Sequence, residues 1–387
     1  MLDSRARFCL IPTTFLLFLI SYPICPRGIL NITYAEQQTG GFSIDVGDED
    51  VSIAWIESSG VETFRVIVQN NGGISEIIIA LMTYSGTAGW FIWTEDWAQT
   101  TGSNATSEPT IQDMGDYVVL TCFGKYAVHP LAMITNITIS KTGIIFISTT
   151  LKSEETTAVE TIAWGLWGFP ENTWRGSKAY ASVEGHPTQE VTLPSEHTEG
   201  TYALFSTNDV LWMDFSKPLE GITVISLASP FYERGEIVDE RDYGPTFSCR
   251  FILAGVGAMP KGEMRTAKVA LYMHGPGGYE GALEMINLLV DLGKADSGAR
   301  KGLESYKDSG AKDLASQALT KAKSAYDKIL MGEMSGAQND LNQALSLLRQ
   351  AEEAVRTAAL IRDLTYASVP IIAVVALLIF LKMRRRR

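Results

Sequence analysis

The sequence predicts a mainly β fold: a large antiparallel β-sandwich ectodomain, then an α-helical hairpin stalk and one transmembrane helix. Three observations carry this. Residues 40–274 alternate apolar and polar side chains with period two and are rich in Val, Ile, Thr and aromatics, as half-buried strands are. At "HGPGGYEG", 274–281, the composition changes to Ala, Leu, Lys, Glu and Gln. Near the end, eighteen residues from Leu364 to Leu381 carry no charge and run into Lys382 and Arg384 to Arg387.

In chain order, Arg5 and Arg7 precede an apolar run, 8–20, and a small-residue site at Thr33-Tyr34-Ala35. This reads as a signal peptide over 1–35, with an uncleaved N-terminal anchor as the alternative. The extracellular sandwich domain follows over 36–278. "ETFRVIVQ" places Phe64, Val66 and Val68 on one face, and "NNGG" at 70–73 turns the chain into "ISEIIIALMTY". "ITNITIS" and "GIIFISTTL" flank Lys141-Thr142-Gly143, a tight-hairpin signal. Strands at this steady spacing exceed one immunoglobulin-type sandwich of about 100 residues. With no linker midway, a single large sandwich is expected.

The stalk is assigned to 279–363. "KADSGARKGLESYKDSG" has three glycines and is expected as loop or weak helix. Ala311, Ala315, Ala318, Ala322, Ala325 and Ile329 recur at three- and four-residue steps. Leu341, Leu348 and Val355 fall seven apart, with Ala344, Ala351 and Ala358 between them. The small residues let two helices approach closely in an antiparallel hairpin, or let the stalk self-associate. Residues 364–381 are long enough to span a hydrocarbon core at about 1.5 Å per residue. The basic tail 382–387 would then lie on the cytoplasmic side of a single-pass cell-membrane protein whose N-terminal domain is outside.

The formal net charge is −12, which argues against nucleic acid as a partner. Cys122 and Cys249, in strand-like sequence, are a candidate disulfide for an exported chain, with two buried thiols as the alternative. Asn104 and Asn136 head Asn-X-Thr sequons and are candidate glycosylation sites. The phosphate-loop, metalloprotease and nucleophile-elbow motifs are absent from the sequence, and the four histidines are scattered. No cofactor, metal or catalytic residue is assigned. "ERGEIVDERDYGPTF", 233–247, mixes Glu233, Glu236, Asp239, Glu240 and Asp242 with Arg234, Arg241 and Tyr243. Such carboxylates suit acid–base work on sugars or a calcium site, and equally a solvated loop.

Six of the eight tryptophans lie in two stretches, "GWFIWTEDW" and "TIAWGLWGFPENTWRG". Trp90, Trp93, Trp97, Trp167 and Trp174, with Arg175 beside the last, are the carbohydrate-binding candidates, because aromatic rings stack on the apolar faces of sugars. Core or loop packing is the competing expectation. Trp164 and Trp167, three apart on one strand, are expected on opposite faces.

The run "ITNITISKTGIIFISTTLKSEETTAVETIAWGLWGFPENTWRG", in its β setting of 40–274, resembles the galactose-mutarotase-like supersandwich domains. There, paired strands lead into a Trp- and Pro-containing loop. The resemblance implies carbohydrate binding or processing, and no catalytic residue is carried over from it. The order of export signal, β domain, helical stalk, span and basic tail resembles the surface-layer anchors of archaea and bacteria. Carbohydrate binding at the cell surface is the expected function. The alternatives are a structural envelope component without ligand and a polysaccharide-active enzyme.

Overall fold

The computed structural model describes residues 40–384, apart from 80–81, 94–98, 101–102, 127–128, 160, 201, 228–231 and 254–256. The signal region 1–35 lies outside the described residues. The strands run β1 (Gly41–Val46), β2 (Asp50–Ile56), β3 (Glu62–Gln69), β4 (Ile74–Ile79), β5 (Met82–Trp93), β6 (Gln99–Thr100), β7 (Ser103–Ala105), β8 (Thr110–Asp113), β9 (Tyr117–Tyr126), β10 (Leu131–Ser140) and β11 (Ile144–Ser153). They continue as β12 (Thr157–Ala158), β13 (Thr161–Pro170), β14 (Lys178–Val183), β15 (Gln189–Thr192), β16 (Ala203–Thr207), β17 (Val210–Lys217), β18 (Glu220–Ser226), β19 (Tyr232–Asp239), β20 (Thr246–Leu253), β21 (Ala258–Met259) and β22 (Met264–His274). One helical turn, α1 (Glu171–Trp174), follows β13.

Sheet A has the order β1-β2-β3-β4-β5-β13-β20-β19-β16, with β6 on β5. Sheet B has the order β15-β14-β17-β18-β22-β11-β10-β9-β7, with β8 on β9. Every pairing within both is antiparallel. One apolar core joins them: Val66, Ile77, Trp164 and Phe251 from sheet A pack with Leu120, Ile137, Val224 and Leu271 from sheet B. This is one large sandwich, as the steady strand spacing implies. The β10–β11 hairpin closes at Lys141-Thr142-Gly143, with Ile139 opposite Ile145 and Gly143 at φ +80°, a conformation glycine adopts without a Cβ clash.

The helices are α2 (Gly278–Ser305), α3 (Ser309–Met331) and α4 (Met334–Arg384). They do not form a free stalk. They cover the outer face of sheet B, where Ile144, Phe146, Trp212, Ile225 and Ala270 join Ile286, Leu289, Ala322, Ile329 and Leu341 in a second core. The Phe146 and Tyr326 rings lie 4.7 Å apart, and Lys268 pairs with Asp296 at 2.7 Å. The glycine-containing segment is helix rather than loop. A Cβ on Gly293 would come within 2.9 Å of the Leu227 Cα, and one on Gly302 within 3.0 Å of the Ala315 Cβ. The glycines thus let α2 press onto the sheet and onto α3, a packing gain that offsets their low helix propensity. The Ala seam is buried inside this layer: Ala311, Ala315, Ala318, Ala322, Ala325, Ala344 and Ala351 are essentially inaccessible.

The expected transmembrane helix is corrected as well. Among the described residues, no helix is long and apolar enough to cross a membrane. Residues 364–381 belong instead to the 51-residue α4, whose described part is amphipathic, with Leu341 and Ala344 buried and Gln343, Glu352 and Glu353 exposed. A span must be apolar all round over about 20 residues. The side chains of 362–384 lie outside the description.

Candidate functional site

Strand alternation gives sheet A an inner face on the core and an outer face away from it. On β13, Ile162, Trp164 and Leu166 point into the core. Ala163, Gly165 and Trp167 therefore take the outer face. The β13–β20 ladder shifts register between Trp167 and Phe169. This bulge returns Phe169 to the core, where it stacks on Phe215 at 3.7 Å, and leaves Trp167 outside. The half-buried Trp167 ring lies across Gly165, where a Cβ would meet the ring at 2.1 Å. Glycine at 165 is what lets the indole lie along the strand.

β20 supplies the next row. Phe247, Cys249 and Phe251 fill the core, so Ser248 and Arg250 face outward, opposite Trp167 and Gly165. β19 adds Glu236, opposite Arg250. Glu236 Oε2 accepts from Arg250 Nε at 2.7 Å and pairs with its terminal nitrogen at 2.6 Å. Glu236 Oε1 accepts from Arg234 Nε at 2.7 Å and Ser206 Oγ at 3.0 Å. A second terminal nitrogen of Arg250 donates to the Tyr202 hydroxyl at 2.6 Å, and its guanidinium sits 4.8 Å from the Tyr202 ring centre. Tyr202 and Ser248 each donate to Glu240 Oε1 at 3.0 Å. The exposed Tyr243 ring stands edge-on to Tyr202 at 6.1 Å.

Burial alone would raise the Glu236 carboxyl. The Arg250 and Arg234 guanidiniums outweigh it and hold the group below the ordinary carboxylate value. Burial pushes the Tyr202 hydroxyl well up, so it acts as a neutral donor.

At one end of this row lies a second ionic group. Arg241, almost fully buried, forks onto Asp239 at 2.8 and 2.7 Å and reaches Glu171 at 3.0 Å. His197 sits 2.7 Å from Asp242 and 3.4 Å from Asp239. Its hydrogen bond to Asp242 raises its pKa above the usual histidine value. Together with the Gly200 N–H donating to Asp242 at 3.0 Å, these contacts strap the segment that delivers Tyr202. His274 is also paired, 2.8 Å from the buried Asp214 on sheet B. Histidines scattered in sequence thus each find carboxylates in space.

The segment 233–247 is therefore no solvated loop. Glu236, Asp239 and Glu240 are buried and partnered on β19 and the turn after it. The aromatic candidates separate. Trp174 is 1% exposed, packed edge-on against Phe169 at 5.3 Å and Phe215 at 5.9 Å, and cannot present a face to a sugar. Arg175 beside it is exposed. On β5, Trp90 registers against Trp164 and Trp93 against Thr161. Trp97 lies outside the described residues. Trp164 and Trp167 do divide between the two faces. Cys122 on β9 of sheet B and Cys249 on β20 of sheet A are separate buried thiols rather than a disulfide. Burial pushes the Cys122 thiol up to about 11. Asn104 and Asn136 are both exposed, Asn136 accepting a hydrogen bond from Thr121 at 2.9 Å. Sequence reading missed Tyr202, Ser206, Ser248 and Arg250. In "TFSCRFIL" the signal for the last two was present, a polar residue at every second position of an otherwise apolar strand.

No protein-family model matches the chain, and no curated protein sequence matches it. Among solved structures it is similar to an alpha-mannosidase from Enterococcus faecalis V583, with 12% identity, 58% of this chain and 30% of that chain covered, and a TM-score of 0.39. It is similar to a galactose 1-epimerase from Lactobacillus acidophilus NCFM, with 9% identity, 62% and 99% covered, and a TM-score of 0.38. A heparan sulfate lyase from Pedobacter heparinus gives 10% identity, 63% and 36% covered, and a TM-score of 0.34. The chain thus spans about a third of the length of the mannosidase and the lyase. The galactose-mutarotase-like resemblance is present as a distant likeness of the β-sandwich. Likeness at this level concerns strand arrangement and carries nothing about activity.

Proposed function

We propose that the protein binds carbohydrate on the outer face of sheet A. The main support is the Trp167 ring, laid along β13 beside a row of fixed polar groups on β20 and β19. A sugar offers an apolar C–H face and a rim of hydroxyls that both donate and accept. The indole matches the first, and the Glu240, Arg234 and Tyr243 edges match the second. The row is pre-organised, since each buried member is held by another, so little side-chain freedom is lost on binding.

The chemistry suits binding rather than glycoside hydrolysis. A general acid must be protonated near neutral pH. Glu236 is held ionised by two guanidiniums. Profiling the full-length protein on an oligosaccharide array, followed by tryptophan-fluorescence titration of the hits, tests the reading. Saturable binding that weakens at least tenfold in Trp167→Ala is expected. Absence of binding to any oligosaccharide at millimolar concentration would refute it.

A further inference from the structure

Within the outer row, the arginines and the carboxylates are not evenly matched. Arg234 and Arg250 both serve Glu236, and Arg241 serves Asp239. Glu240 is held by hydroxyls instead, from Tyr202 and Ser248, and both of these reach the same oxygen, Oε1. The residue is 8% exposed, and among the described residues no donor reaches Oε2. A nine-tenths-buried carboxylate with one oxygen unserved is costly unless something completes its shell. Ser248 is the register partner of Trp167, so this oxygen belongs one strand away from the indole. The chain as a whole is acidic, which adds a field unfavourable to anions.

We propose that Glu240 selects the ligand: the sugar bound beside Trp167 presents a hydrogen-bond donor to Glu240 Oε2 and carries no negative charge there, so amino sugars bind best, neutral sugars next, and uronates worst. This rests on the carbohydrate reading above. An ammonium or hydroxyl of the ligand donates to Oε2 and completes the carboxylate's shell. A ligand carboxylate or sulfate in the same place sets two anions side by side, which low local dielectric penalises strongly.

The test is calorimetric titration of the full-length protein with three tetrasaccharides, of glucosamine, glucose and galacturonate, repeated with Glu240→Gln. The variant keeps an oxygen for Tyr202 and Ser248 but puts an N–H₂ donor where Oε2 stood. The expected result is at least tenfold tighter binding of the glucosamine than of the galacturonate tetramer by wild type, with that preference lost or reversed in the variant. Wild-type binding of galacturonate as tight as glucosamine, or a preference unchanged by Glu240→Gln, overturns the selection by Glu240 while leaving carbohydrate binding standing. Binding of none of the three, together with a blank oligosaccharide array, overturns both. Should the variant fail to fold, wild type decides alone: affinity for the glucosamine tetramer falls at least threefold between 50 and 500 mM salt while that for glucose stays level, and a level response for both overturns the proposal.

Discussion

Replacing Arg250 with Met removes the hub of the outer row while keeping most of its apolar stem volume. Three polar contacts go: two to Glu236 at 2.7 and 2.6 Å and one to Tyr202 at 2.6 Å. Breaking one partner from a buried pair costs about 3–5 kcal/mol, because the other charge is left buried. Here Arg234 and Ser206 still serve Glu236 Oε1, which places the expected loss at the lower end, about 3 kcal/mol. In a cycle with Glu236→Gln, the double variant should lose about 1–3 kcal/mol less than the two singles added, since each single strands the other's charge. Urea unfolding followed by far-ultraviolet circular dichroism measures all four proteins. The sign with pH is also fixed. A carboxyl depressed in the folded state contributes stability above its ordinary pKa and loses it as pH falls through the depressed value. Arg250→Met should flatten that acid limb. A loss under about 1 kcal/mol, or strict additivity in the cycle, would show that the row is loosely hydrated rather than a fixed buried unit.

Asp340 holds Lys328 at 2.6 Å, Lys321 at 3.2 Å and Ser324 at 2.6 Å between α3 and α4, and its pKa falls to about 2, mainly through Lys328. Asp340→Asn should cost about 2 kcal/mol at neutral pH, as loss of hydrogen bonds to a charged group does, with the gap closing as pH falls toward 2. The half-exposed lysines can rehydrate and limit the loss. His197 is raised, so its grip on Asp242 and Asp239 is full below the ordinary histidine value and fades as pH rises through the folded one. Hydrogen exchange of the Gly200 amide should therefore quicken with pH beyond its intrinsic rise, and Glu or Gln at 197 should abolish that excess; an unchanged excess would contradict the strap. Both cysteines should titrate as thiols in denaturant without reductant and resist alkylation in the native protein, whereas a missing pair of thiols would restore the disulfide.

Much of the fold was legible because burial forces period: the alternation in "ETFRVIVQ" and "ITNITISKTGIIFIS" fixes both strand and face, and the register of β10 on β11 follows from the glycine turn. The helical layer was less so. Ala repeats and three glycines say that something packs closely, and they do not say whether the partner is another helix or sheet B. The site was half legible. The clusters at 233–247 and 164–174 were visible, but their meeting depends on β13 lying beside β20, some eighty residues away. The bulge after Trp167 is invisible to strict alternation, which would put Trp167 and Phe169 on the same face. Trp174 looked like an exposed loop residue because proline, asparagine and glycine surround it. In fact the short α1 turns it inward, onto Phe169 and Phe215.

That contrast between two tryptophans offers the sharpest test. Binding of an array-identified oligosaccharide should be measured for wild type, Trp167→Ala and Trp174→Ala, with unfolding free energies alongside. The account predicts that Trp167→Ala weakens binding at least tenfold with little change in stability. Trp174→Ala should cost about 3–5 kcal/mol as a core truncation and leave the affinity of the folded fraction unchanged. Binding that survives loss of Trp167, or that depends on Trp174 and not on Trp167, would contradict a sugar site on the outer face of sheet A.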